Sequence, residues 1–125
     1  DVVREAIDAT VARAASTPEL AEHAQALTRA ADDVAAATRA AWSTGVAAEA
    51  LANATPYLQA FGHVVLAWIW LDVALVGDGD DGPAACGRRA AMQYFYAYEL
   101  PKIDAWLGVV AAREDVCRAM QDEWF

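Results

Sequence analysis

Apolar residues recur along most of this chain at intervals of three and four, the period of one helix face. The densest run lies in the middle. Between Thr55 and Gly77, Tyr57, Phe61, Val64, Trp68, Leu71 and Leu75 follow a 4-3-4-3-4 spacing, and Leu58, Gly62, Val65, Ile69, Asp72 and Val76 repeat it one residue on. Thr55 followed by Pro56 reads as an N-cap and first helical residue, and Gly77 as a stop, predicting a helix of about six turns. Two adjacent apolar seams predict that this helix is buried on most of its circumference by at least two neighbours.

The flanking segments carry the same period. Val3, Ile7, Val11 and Ala14 form one stripe of a helix ending near Ala15. In Ser16-Thr17-Pro18-Glu19, Ser16 can cap, Pro18 suits a first turn and Glu19 stands where a capping box needs an acid, so a second helix is predicted to start there. Its seam, Leu20, Ala24, Leu27, Ala31, Val34 and Thr38, is thin in side-chain volume, so aromatic groups from later helices are expected to fill it. Gly45 weakens but does not forbid a helix, and one long, kinked helix reaching Asn53 is predicted.

After the central helix, Gly77 to Pro83 alternates Asp and Gly like a calcium loop. The ligand spacing is incomplete, however, and Arg89 stands where a closing Glu should fall, so a solvated hairpin loop is predicted. Pro83 opens a last long helix with a seam of Met92, Tyr96, Glu99, Ile103, Trp106 and Val110, and Pro101 within it should bend it. Asp115 is expected to cap a short final helix carrying Val116 and Met120.

Composition agrees with this pattern. The 125 residues suit a single domain, 58% are apolar, 32 are alanine, and proline is confined to positions 18, 56, 83 and 101. The expected fold is all-α, an up-and-down antiparallel bundle of about four long helices plus a short C-terminal helix. The formal charge of −9, with a single lysine and only Arg88 and Arg89 adjacent among the arginines, leaves little for a phosphate-rich partner to hold. Nucleic acid and anionic membrane are therefore not expected partners. Gln59, His63 and Asp72 interrupt the central helix, leaving an apolar run of eight residues, Val64 to Leu71, so no membrane span is expected. Cys86 and Cys117 lack a metal-ligand spacing and are expected as buried or half-buried thiols in a reducing cytoplasm. No secretory leader is expected, and an opening in helical rhythm without Met suggests a piece of something longer.

Candidate chemistry is sparse. His23 follows Glu19 by one turn and reads as half of a surface ion pair rather than a metal ligand. His63, one turn after Gln59, could be a base in a cleft but reads better as a hydrogen-bonded core histidine. Glu99, on the stripe of Ile103 and Trp106, could be a general base of raised pKa; pairing with an arginine, tyrosine or histidine is preferred. Asp72 carries the same two readings. No phosphate loop or nucleophile elbow appears, so no catalytic, cofactor-binding or metal residue is assigned to this chain.

The run Pro56-Tyr57-Leu58-Gln59-Ala60-Phe61-Gly62-His63-Val64-Val65, then Trp68 and Leu71, then Tyr94-Phe95-Tyr96, Glu99-Leu100-Pro101 and the closing Met120 to Phe125, resembles the C-terminal extension domain of bacterial acyl-CoA dehydrogenases. The similar branch includes enzymes acting on 3-methylthiopropionyl-CoA. The resemblance implies a helical domain appended to the body of an oligomeric, FAD-dependent enzyme that introduces a 2,3 double bond into an acyl-CoA, with flavin, acyl chain and catalytic base held by the body. On that reading Pro56, Tyr57, Phe61, Gly62, Trp68, Glu99 and Pro101 are architectural: Pro56 starts a helix, Gly62 permits close helix approach and Pro101 bends the last helix.

Trp42, Trp70, Trp106, Trp124 and Phe125 are more aromatic surface than one small bundle needs to bury, which points to packing on the body, at a subunit interface or an acyl-pocket wall. The competing class is a free-standing module that dimerises through its central helix or a neighbouring seam. A small apolar-ligand carrier would need a cavity between the alanine-lined helices.

Overall fold

The computed structural model describes residues 1–125 and contains helices and turns without a strand. Helix α1 spans Val2–Ala15, α2 Ala21–Ala41, α3 Ala47–Ala50, α4 Ala54–Val76, α5 Pro83–Tyr94, α6 Ile103–Ala111 and α7 Val116–Ala119. A π-helical turn, Phe95–Glu99, and a 3-10 turn, Leu100–Lys102, join α5 to α6 into one long bent rod.

The four long rods run up, down, up, down. At the α2–α4 corner the Thr38 hydroxyl lies 3.0 Å from that of Tyr57, joining the end of α2 to the start of α4. Thr10 of α1 faces Trp68 and Asp72 of α4. Arg4 ties α1 to α2, bonding Asp8 at 2.9 Å and Asp32 at 2.8 Å. One apolar core of 22 buried residues runs through the bundle. On α2 the buried face alternates Leu27 and Val34 with Ala24, Ala30, Ala31, Ala37 and Ala41, whose small side chains let its neighbours close in. Tyr96, edge-on to His23 of α2, is buried in the same core as Leu107 and Met92.

Four local expectations differ from the structure. Ser16 does not cap α2; its hydroxyl donates to the Arg13 carbonyl at 2.9 Å, satisfying the end of α1, and α2 begins later, after the buried Leu20. The long helix to Asn53 is broken after Ala41, where Gly45 adopts φ +71 and Thr44 accepts the Val46 N–H and donates to Glu49 at 2.6 Å, starting α3 afresh. Helix α4 starts at Ala54, placing Pro56 in its first turn, while the Asn53 amide donates to the Glu114 carbonyl at 2.9 Å. Asp115 precedes α7 without capping it, its carboxylate accepting from Arg118 instead.

The bend at Pro101 takes a definite form. The Leu100 N–H reaches back five residues to the Phe95 carbonyl, inserting an extra residue before the proline, and the 3-10 turn then restores the register. Tyr96, Leu100, Ile103 and Leu107 thereby stay on the core side of both halves. The Tyr96 hydroxyl donates to the Ala67 carbonyl at 2.9 Å, and burial pushes its pKa above the usual phenol range.

The central helix is the largest departure. Only Ala60, Val64, Ala67, Leu71 and Ala74 of α4 are buried, because α1, α2, α5 and α6 all pack on one side of it. The expected second seam is not an interior seam. By length and composition α4 is apolar enough to cross a bilayer.

Candidate functional site

The outer face of α4 is an apolar stripe with nothing on it. Leu58 is 69% exposed, Leu66 45%, Ile69 49% and Val76 85%, with Phe61 at one edge and half-buried Val65 and Val73 between them. Eighteen residues of helix separate its ends, about 27 Å. The one charged side chain that borders it is Asp72, one turn from both Ile69 and Val76. Asp72, expected in the middle of an apolar seam, lies at its margin, where it pairs with Arg13.

Gly62 also faces outward on α4. A Cβ built there meets no atom within 4 Å, so the close helix approach expected of Gly62 is not made inside the chain. Phe61 connects the stripe to a shallow groove of about 410 Å³ between α1, α2 and α4, lined by Val3, Ile7, Val34, Tyr57, Phe61 and Val64. The Tyr57 hydroxyl at its floor is held by Thr38.

On the other flank of α4, His63, Glu99 and Lys102 form a polar cluster. His63 sits edge-on to Trp106, ring centroids 4.8 Å apart, and against Phe95 at 5.6 Å. Its Nδ1 lies 3.1 Å from the Gln59 carbonyl, as expected of a hydrogen-bonded histidine, and its Nε2 lies 3.3 Å from the Glu99 carboxylate. Lys102 donates to both Glu99 oxygens, at 3.0 and 2.8 Å. Those bonds, with His63 second to Lys102, hold the Glu99 carboxyl below the usual glutamate range. A carboxylate so held is a weak base, so the structural pairing expected of Glu99 stands and the raised-pKa reading does not.

The remaining candidates are dispersed. His23 makes no ion pair with Glu19; its ring meets Tyr96 edge-on at 5.1 Å and its Nδ1 is buried without a partner. Arg89 clamps the acidic hairpin loop by donating to the carbonyls of Gly77 at 3.1 Å and Asp80 at 2.8 Å, a role its place in the failed calcium pattern did not suggest. Cys86 and Cys117 are free thiols, exposed rather than buried. No group of three or more His, Cys, Asp or Glu residues is arranged to hold a metal.

Trp68 is one end of a network that sequence reading missed. Its indole N–H donates to Thr10 at 2.8 Å, and Arg13 and Asp72 close the set. Thr10 and Arg13 on α1, and Trp68 and Asp72 on α4, each sit one turn apart on a single face, the only trace such a pairing leaves in a sequence.

The family model for the acetyl-CoA dehydrogenase C-terminal-like domain matches residues 3–121. The chain belongs to that family. The match supports a helical C-terminal domain of such dehydrogenases, and the bundle spans its full length, from α1 through α7. Comparison with curated proteins and with solved structures gives no match.

Proposed function

We propose that this chain is the non-catalytic helical C-terminal domain of an FAD-dependent acyl-CoA dehydrogenase, where it contributes to the subunit interface or to the wall of the acyl pocket. The observation that carries the reading is the bare outer face of α4, an apolar stripe bordered by the Arg13–Asp72 pair on a protein of net charge −9. Such a surface is unfavourable in water and favours cover by another apolar surface. Flavin and acyl-CoA then bind the body, since this chain offers no basic cluster for their phosphates. The motif residues from Pro56 to Val65 and from Tyr94 to Pro101 favour the branch acting on 3-methylthiopropionyl-CoA. Two free, exposed thiols fit a reducing cytoplasm.

The test is made on the native protein, isolated from its own cells, by mass and visible absorption. A mass well above 13.4 kDa and a yellow flavin that bleaches on adding an acyl-CoA are expected. A colourless protein of 13.4 kDa overturns the proposal. Deleting residues 1–125 from the enzyme is then expected to alter its assembly or its acyl-chain preference.

A further inference from the structure

We infer that the outer face of α4 pairs with the same face of a second copy of this chain, the two helices antiparallel about a two-fold axis between Leu66 and Ile69. The inference rests on the domain's taking part in a subunit interface and names the partner there. It begins with the symmetry of the stripe, because an isologous interface needs a surface that matches its own reversal. Read from either end, the α4 face presents a large aliphatic side chain, then a position one turn in, then the central pair. Reversal about that axis sets Gly62 of one copy against Val73 of the other and Leu66 against Ile69, and brings Leu58 opposite the Val76–Gly77 step, one residue from exact register with Val76. Gly62 leaves an open notch, with nothing within 4 Å of a Cβ, opposite the branched Val73.

Charge selects the direction. Asp78, Asp80 and Asp81 form an exposed acidic loop directly after α4. Parallel pairing would bring the loops of both copies together. Antiparallel pairing separates them by the length of the stripe, about 27 Å, roughly three times the ~8 Å screening length at physiological salt. It also sets each loop near the first turn of the partner's α4, which carries no acidic residue and presents the positive end of the helix.

Area and overall charge decide the occupant. The stripe exposes roughly 500 Å² of apolar surface, at the upper end of what a monomer leaves bare. Two such faces bury roughly 1,000 Å², the threshold for a specific interface before flanking residues are added. A lipid surface is disfavoured, since a net charge of −9 and an acidic loop at the helix end are repelled by anionic headgroups.

The experiment uses the 125-residue chain with Cys86→Ser and Cys117→Ser, into which Leu58→Cys and Val76→Cys are introduced as separate variants and oxidised alone and mixed. A disulfide-linked pair is expected in the mixture and from neither variant alone. Sedimentation of the unsubstituted chain should give twice 13.4 kDa, and Ile69→Glu, at a position already exposed, should return it to 13.4 kDa with the helical circular dichroism unchanged. A monomer at every concentration, self-linking of Leu58→Cys, or a dimer that survives Ile69→Glu overturns the inference. So does a monomer that co-sediments with phosphatidylcholine vesicles, which assigns the stripe to lipid. If deleting the domain alters the dehydrogenase's assembly while the 58–76 link never forms, the pairing falls and the interface reading stands. If the link forms in a colourless 13.4 kDa protein, the dehydrogenase reading falls instead.

Discussion

The indole N–H of Trp68 donates to the hydroxyl of Thr10 at 2.8 Å, across the contact between α4 and α1. Thr10 is the one polar residue in the protein's buried set, 2% exposed, and it is saturated: it accepts from Trp68, lies within reach of Arg13 and faces Asp72. A buried hydroxyl costs little when its bonds are made and much when they are not. The network therefore fixes the rotation of α1 on α4, an interface that smooth alanine faces alone would leave free to slide.

Thr10→Val is expected to destabilise the chain by about 1–3 kcal/mol, because it leaves the indole N–H without its acceptor. Trp68→Phe removes the donor and leaves Thr10 its other partners, so a smaller loss of about 1 kcal/mol is expected. Urea unfolding of both variants checks the order; equal losses, or none, would show that the bond does not set the contact.

Leu71 is fully buried, at 0% exposure, among the small residues of the α4 inner face. Leu71→Ala is expected to cost about 2–5 kcal/mol, toward the upper part of that range because neighbouring alanines offer no side chain that can move into the cavity. Ile69→Ala, two residues earlier on the outer face, should change the stability of the monomeric chain by less than about 0.5 kcal/mol. Thermal melts at one low concentration compare the two.

Glu99 is held below the usual carboxyl range by Lys102 first and His63 second. Its folded pKa lies below its unfolded one, so its contribution to stability is present above the ordinary glutamate range and is lost as pH falls through the folded value. Carboxyl NMR titration should show Glu99 titrating low, and Lys102→Ala should move it up toward the ordinary value. An unchanged titration in that variant would remove Lys102 as the main cause.

Asp33 behaves in the opposite sense. Burial raises its pKa, and Asp104 across the α2–α6 contact and Asp32 add to the rise against Arg29. A carboxyl with a raised folded pKa destabilises the fold at neutral pH, and the penalty is relieved as pH falls toward the ordinary aspartate range. Asp104→Asn is expected to lower the Asp33 pKa and to stabilise the chain at neutral pH by a few tenths of a kcal/mol, a small gain because solvent screens the pair. Stability curves at neutral and mildly acid pH measure both effects.

Helical period, alanine content and the placement of four prolines were enough to set the all-α class, the long elements and the bend at Pro101, because each acts through bonds within a turn of the residue concerned. The same residues carried the family resemblance, which the match over residues 3–121 bears out at the level of the domain. Caps and breaks were less legible: Ser16, Asn53 and Thr44 each had a local and a nearby partner, and only the folded chain decided between them.

The face of α4 lay furthest from the sequence. Its two apolar seams look alike along the chain, Leu58 as hydrophobic as Leu71, and periodicity tells which residues share a face but not which face is covered. The sequence by itself determined that α4 would be a long helix with apolar sides. Only the tertiary arrangement, with α1, α2, α5 and α6 all on one side, decided that Leu71 became core and Leu58, Ile69 and Val76 became a surface, because burial depends on where the neighbouring helices lie.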